Sequence, residues 1–122
     1  MFPEDFYKYL NNNTLILIKA GTDREKFTEI CAVVVEGRTF ARSWNKNLIG
    51  WFGEIKKYKE GEIRYGDKVL KVKVHKLSKD DMMHTYINAA YREKYNQEYN
   101  IEYALAISQP EYSKYTIEFI LA

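Results

Sequence analysis

The chain has 122 residues, of which 46% are hydrophobic and 30% charged, with a formal net charge of +2. That length predicts one domain spanning residues 1–122 with a single core, and a domain of this size buries about two thirds of the surface its unfolded chain exposes. No stretch approaches the roughly 20 apolar residues a membrane-spanning helix needs, which excludes an integral helical membrane protein.

The N-terminal "MFPEDFYKYL" carries Glu4 and Asp5 where a signal peptide requires a basic flank and an apolar run, and the lone Cys31 fits a reducing compartment. The expected location is the cytoplasm. Charge is unevenly spread: Arg38 to Lys76 holds eleven Lys plus Arg against four Asp plus Glu, a net of +7, while the remainder holds eight against thirteen, a net of −5. Such asymmetry fits a phosphate-bearing ligand or nucleic acid, and equally fits lysines on the wet face of strands.

In chain order, "PEDFYKYL" predicts a short leading helix that ends in the triple Asn at 11–13. "TLILIKA" predicts a strand from Leu15 to Lys19. "ICAVVV" predicts another from Ile30 to Val35, joined through a tight turn at Glu36 and Gly37 to a third from Thr39 to Arg42. Both "LILI" and "ICAVVV" are apolar at consecutive positions, so both faces are covered, by barrel closure, by helices or by a second subunit. "NLIGWFGEIKKYKEG" reads as a short helix or irregular crossing. "EIRYGDKVLKVKVHKL" reads as a hairpin turning at Gly66 and Asp67, whose second strand, Leu70 to Lys76, buries its valines and leaves Lys71, Lys73 and His75 in solvent. Ser78 and Asp81 form a capping-box pattern opening the longest helix, about Lys79 to Tyr95, with Met83, Ile87, Ala90, Tyr91 and Lys94 on one stripe. "IEYALAISQP" adds a helical turn before Pro110, and Thr116 to Leu121 closes the chain as a strand. The order predicts an α+β fold: a six-stranded antiparallel barrel with flanking helices.

Most catalytic signatures are missing. There is no glycine-rich phosphate loop, no serine in a nucleophile elbow, and His75 and His84 lack the spacing of a metal pair. The positive signal is "ARSWNKN". Arg42 offers a planar fork of donors, Ser43 a hydroxyl and Lys46 a point charge, a set suited to a phosphate, while Trp44 and Trp51 are flat surfaces for a ring. Two readings stay open. As a ligand cradle, Arg42 is partly exposed in a concave pocket; as a structural turn, it is locked against carbonyls or a carboxylate. The second cluster, "AAYREKYN", places Tyr91, Arg92, Lys94 and Tyr95 at a helix C-terminus, where cations also satisfy terminal carbonyls.

The strand end "TFARS", the Trp-centred crossing "NKNLIGWF" and the helix "AAYREKY" together resemble a small bacterial family of unknown function within the FMN-binding split-barrel group, similar to the deazaflavin-dependent nitroreductases. The resemblance runs from about Leu15 to Leu121. It implies a six-stranded split barrel, a homodimer, and a flavin, FMN or deazaflavin, whose phosphate is held near Arg42 and Ser43. Carried over by position, the cofactor-binding set is Arg42, Ser43, Lys46, Trp51, Arg92, Lys94 and Tyr95, with Phe40 where the family has its first strand aromatic. The expected function is a flavin- or deazaflavin-binding protein of oxidoreductase type. Two alternatives stand beside it: a cofactor-less dimeric barrel with a structural or regulatory role, and a module for an anionic ligand or nucleic acid, the latter weakened by the small net charge. Nineteen aromatic residues against two modest helices also argue for a dimer.

Overall fold

The structure, a computed structural model, describes residues 2–20, 27–43 and 59–122. Among the described residues there are seven strands: β1 (Ile16–Ala20), β2 (Thr28–Ile30), β3 (Ala32–Val35), β4 (Arg38–Arg42), β5 (Glu60–Tyr65), β6 (Lys68–Lys76) and β7 (Thr116–Leu121). Helices are α1 (Glu4–Asn12), α2 (Met83–Lys94) and α3 (Ile101–Ile107), and a 3-10 segment, Pro110–Tyr115, leads into β7. The strands form one sheet in the order β2-β1-β5-β6-β7-β4-β3, antiparallel at every pairing.

The two ends of that order explain the architecture. β2 pairs with β1 and β3 with β4, yet the two strands are separated in the chain by Cys31 alone. The sheet therefore curls until its opposite edges are consecutive pieces of one extended run. The result is a nearly closed barrel, and the strand expected from Ile30 to Val35 is this run broken at a single residue. Counting it once gives the expected six. The β3–β4 turn has Glu36 at φ 51° and Gly37 at φ 78°, both left-handed, as a tight hairpin on right-twisted strands requires.

Two cores lie on the two faces of the sheet. Inside the barrel are Ile16, Ile18, Ile30, Ala32, Ala41, Ile63, Val72, Ile117 and Phe119, joined by Phe2, Phe6 and Leu10 at α1. Phe2 stacks on Phe6 at 4.5 Å between ring centres, and Phe6 meets the edge of Tyr65 at 5.2 Å. On the outer face, Val33 and Phe40 pack against Ile87, Tyr91 and Tyr95 of the α2 segment and Ala104 and Ile107 of α3. This pairing accounts for the doubly apolar "ICAVVV": Ala32 points into the barrel and Val33 toward the helices. The cover that the aromatic count seeks in a second subunit comes here from the chain's own helices.

α2 begins at Met83, four residues after the expected start. The cause is local: Ser78 Oγ accepts from the Asp80 N–H at 3.3 Å and Asp81 Oδ1 from the Met83 N–H at 2.8 Å. The Asp81 carboxylate thus serves the helix ahead of it, while the Asp81 N–H donates to the Ser78 carbonyl at 3.1 Å, and residues 78–82 form the turn that leads in. His75 is exposed, as the strand alternation predicts. The basic stretch is interleaved with acids: Arg38 grips Glu118 through two bonds of 2.9 Å, and Lys71 and Lys73 lie opposite Glu62 and Glu60. None of the helices of the described residues is long and apolar enough to cross a membrane. The crossing expected at "NLIGWFGEIKKYKEG" falls largely outside the described residues.

Candidate functional site

β4 ends at Arg42 and Ser43 follows it, both almost fully buried at 2% and 1% exposure. The strand register puts Arg42 opposite Thr116 on the helix-covered face, so its side chain enters the layer between sheet, α2 and α3. There it is held from three elements. Nε donates to Thr116 Oγ1 at 2.9 Å, Nη1 to Asn88 Oδ1 at 2.5 Å and to the Ile107 carbonyl at 2.9 Å, and Nη2 lies 3.1 Å from His84 Nδ1. Of the two arrangements open to this arginine, the structure has the locked one, although its acceptors are neutral where a carboxylate was an equal expectation.

A guanidinium carries no acceptor, so His84 Nδ1 must accept and the ring proton must sit on Nε2, which donates to the Ser78 carbonyl at 2.6 Å. Burial, and then the Arg42 charge, pull His84 below its usual value of 6.5, against the Ser78 carbonyl, Asp81 and Asp80, which favour the cation. The unfolded chain therefore takes up the proton first. As pH falls from about 6.5 toward the lower folded value, stability should drop, and His84→Gln should flatten that limb; urea melts between pH 7 and 5 measure it. A slope identical in the variant would refute the assignment.

Next along α2, three residues of "YREKY" address the barrel seam. The β3–β4 register carries on from Ala32 and Ala41 to Cys31 and Arg42, and at that position a tyrosine hydroxyl intervenes. Tyr91 Oη accepts from the Arg42 N–H at 3.1 Å and donates to the Cys31 carbonyl at 3.0 Å. One helical turn on, Lys94 Nζ donates to the Ala32 carbonyl at 2.7 Å and Tyr95 Oη to the Thr14 carbonyl at 2.7 Å. Burial raises the phenol pKa of Tyr91 and Tyr95 and pulls the Lys94 ammonium down to about 8. Cys31, the link between β2 and β3, is likewise raised by burial. Positions i, i+3 and i+4 of one helix face thus close the split in the barrel.

Of the cofactor-binding set expected from the sequence, Arg42 and Ser43 share the end of β4, Lys94 and Tyr95 share the seam, and Tyr91 connects the two groups. Arg92 is exposed on the far side of α2. Lys46 and Trp51 lie outside the described residues. Sequence reasoning missed His84, Asn88 and Thr116 as the partners of Arg42. His84, Asn88, Tyr91 and Tyr95 recur at spacings of four, three and four, so the signal for a polar seam on a buried helix face was present.

Two cavities stand out. One of about 320 Å³ lies at the end of the barrel where β6 and β7 meet, with Val74 and Ile117 as apolar walls and Lys59, His75 and Lys76 around them. Lys59 has φ 58°, a left-handed backbone that is unusual for a lysine, and its carbonyl accepts from the Val74 N–H at 2.9 Å. Ser43 is close in the fold: its N–H donates to the Tyr115 carbonyl, two residues before Ile117. The other cavity, about 420 Å³, lies between α1, β3 and α2 and includes Lys94 in its wall.

No curated protein matches the chain. Among solved structures, the fold is similar to the crystal structure of an FAD-binding protein from Mesorhizobium loti, at 13% identity and a TM-score of 0.51, covering 99% of this chain and 89% of that one. At that identity the likeness concerns the fold. The family described as "Uncharacterized protein conserved in bacteria" (DUF2255) matches residues 14–119, and this chain belongs to it.

Proposed function

We propose that the protein binds a flavin nucleotide at the strand-end cavity. The observation that carries this reading is the composition of its wall: an apolar surface from Val74 and Ile117, suited to a flat ring, beside three groups able to bear positive charge, Lys59, His75 and Lys76, suited to a phosphate. The left-handed Lys59 adds to it, since backbone strain is retained where a site requires it. The likeness to a barrel described as FAD-binding supports the same class of ligand. When bound, the isoalloxazine supplies hydride or electron transfer, and the protein supplies binding and orientation. Ser43, at the neighbouring strand end, would sit near the phosphate, whereas the Arg42 guanidinium is directed into the helix layer and acts by fixing β4.

Fluorescence titration with FMN, FAD and a deazaflavin should give saturable quenching with one of them. Lys59→Gln combined with Lys76→Gln should weaken it by about tenfold or more, as expected when phosphate loses two cations. Absence of saturation with all three would overturn the proposal. It would favour the cofactor-less barrel, to which the spent donors of Arg42 already point.

A homodimer is part of the same proposal. Tyr86 of α2 and Ile101 and Leu105 of α3 are 56%, 42% and 49% exposed, apolar surface that a partner would cover. Light scattering at micromolar concentration should return twice the 14.5 kDa chain mass. A stable 14.5 kDa species would exclude the dimer.

A further inference from the structure

The larger cavity belongs to a different part of the molecule from the strand-end cavity, and the two share no lining residue. Its apolar side is made by Leu10 of α1, Val33 and Val34 of β3 and Ala90 of α2, and Lys94 rises from the same helix face as Ala90. The Lys94 ammonium is partly withdrawn from water and donates a hydrogen bond to the Ala32 carbonyl. The ring of Tyr95 lies 5.2 Å from it, and no carboxylate pairs with it among the described residues. Glu93 also lines the cavity but is exposed, and it contributes nothing to the Lys94 environment. An ammonium has three donors, and the Ala32 carbonyl is the acceptor of one of them. A half-desolvated cation without an anion, set beside an apolar wall, is complementary to one kind of molecule.

We propose that this cavity is a second binding site, for a small organic carboxylate whose anionic head pairs with the Lys94 ammonium and whose apolar body lies on Leu10, Val33, Val34 and Ala90. The site is independent of flavin binding and stands or falls separately from it. Burial holds Lys94 near a pKa of about 8, so the pairing is strongest below that pH and the bound anion raises the value.

Calorimetric titration of the full chain with 4-methylpentanoate, leucine and leucine amide tests it. The expected result is saturable binding of 4-methylpentanoate at millimolar or lower concentration and none of leucine amide, with affinity falling as pH rises through about 8. Lys94→Met should weaken binding by at least about tenfold, and Lys94→Arg should restore part of it, because the cation returns. Should Lys94→Met fail to fold, Ala90→Leu carries the test: it fills the apolar side, keeps the lysine and should also abolish binding. Tighter binding of leucine than of 4-methylpentanoate supports the site and brings Glu93 in as partner to the ammonium. Failure of 4-methylpentanoate and leucine alike to saturate, or affinity unmoved by pH and by both substitutions, overturns the proposal.

Discussion

Arg42→Ala should lower stability by about 4 kcal/mol or more, moving Tm down on the order of 15 °C, one of the two largest effects expected of any substitution in the chain. The side chain is 2% exposed and satisfies Thr116 Oγ1, Asn88 Oδ1, the Ile107 carbonyl and His84 Nδ1. Alanine leaves those acceptors in a space too closed to rehydrate freely, each at about 1 to 3 kcal/mol, and adds the loss of a large buried side chain. Lysine should recover little. Its single ammonium cannot span acceptors contributed by β7, α2 and α3, which a planar fork reaches together. A thermal melt of both variants decides the matter, and a Tm within about 3 °C of the parent would show that Arg42 does not hold the fold.

Tyr91→Phe should cost about 2 to 4 kcal/mol while removing one oxygen atom. The hydroxyl stands where a strand-to-strand bond would otherwise run, taking the Arg42 N–H and serving the Cys31 carbonyl. Phenylalanine preserves the ring packing and leaves a backbone donor and a backbone acceptor unpaired beside the seam. Hydrogen exchange offers a sharper reading than the melt. The Arg42 amide should lose protection in the variant, while the amides of the β5–β6 hairpin keep theirs. Combined with Arg42→Ala, the two changes should total less than their sum, because they dismantle one network. Unchanged protection at Arg42 would place the stabilising role of Tyr91 in its ring alone.

Much of the fold could be read in advance because it rests on local rules. The alternation in "VLKVKV", the left-handed turn at Glu36 and Gly37, and the consecutive apolar residues of "ICAVVV" each translate directly into strand, hairpin and two-sided burial. The start of α2 was misplaced because Ser78 and Asp81 fit a capping box as sequence, whereas as structure they cap separate steps of one lead-in turn. The site was less legible. Arg42 stood out by type and position, but its role is set by Asn88, Ile107 and Thr116, at separations of 46, 65 and 74 residues. No local pattern encodes such distances. The basic middle of the chain was also ambiguous as sequence, since the carboxylates that face its cations do so through strand register: Glu118 from the last strand grips Arg38, and Glu60 and Glu62 come opposite Lys73 and Lys71. The helix motif was the better guide, because Tyr91, Lys94 and Tyr95 do act together, as fasteners of the seam.

The two peptide bonds of Cys31 join the strands at the two edges of the sheet into a single covalent run. A flat seven-stranded sheet would present two open rims, each a template on which another chain could add a strand. Here the rims are tethered to one another, and the carbonyls left over at the junction are occupied by Tyr91, Lys94 and Tyr95. Protection from fibre-like self-association is therefore lodged in the docking of one helix. A variant whose α2 detaches would uncover backbone groups at the junction before the barrel itself melts, and would turn a partly unfolded intermediate into a nucleus for aggregation.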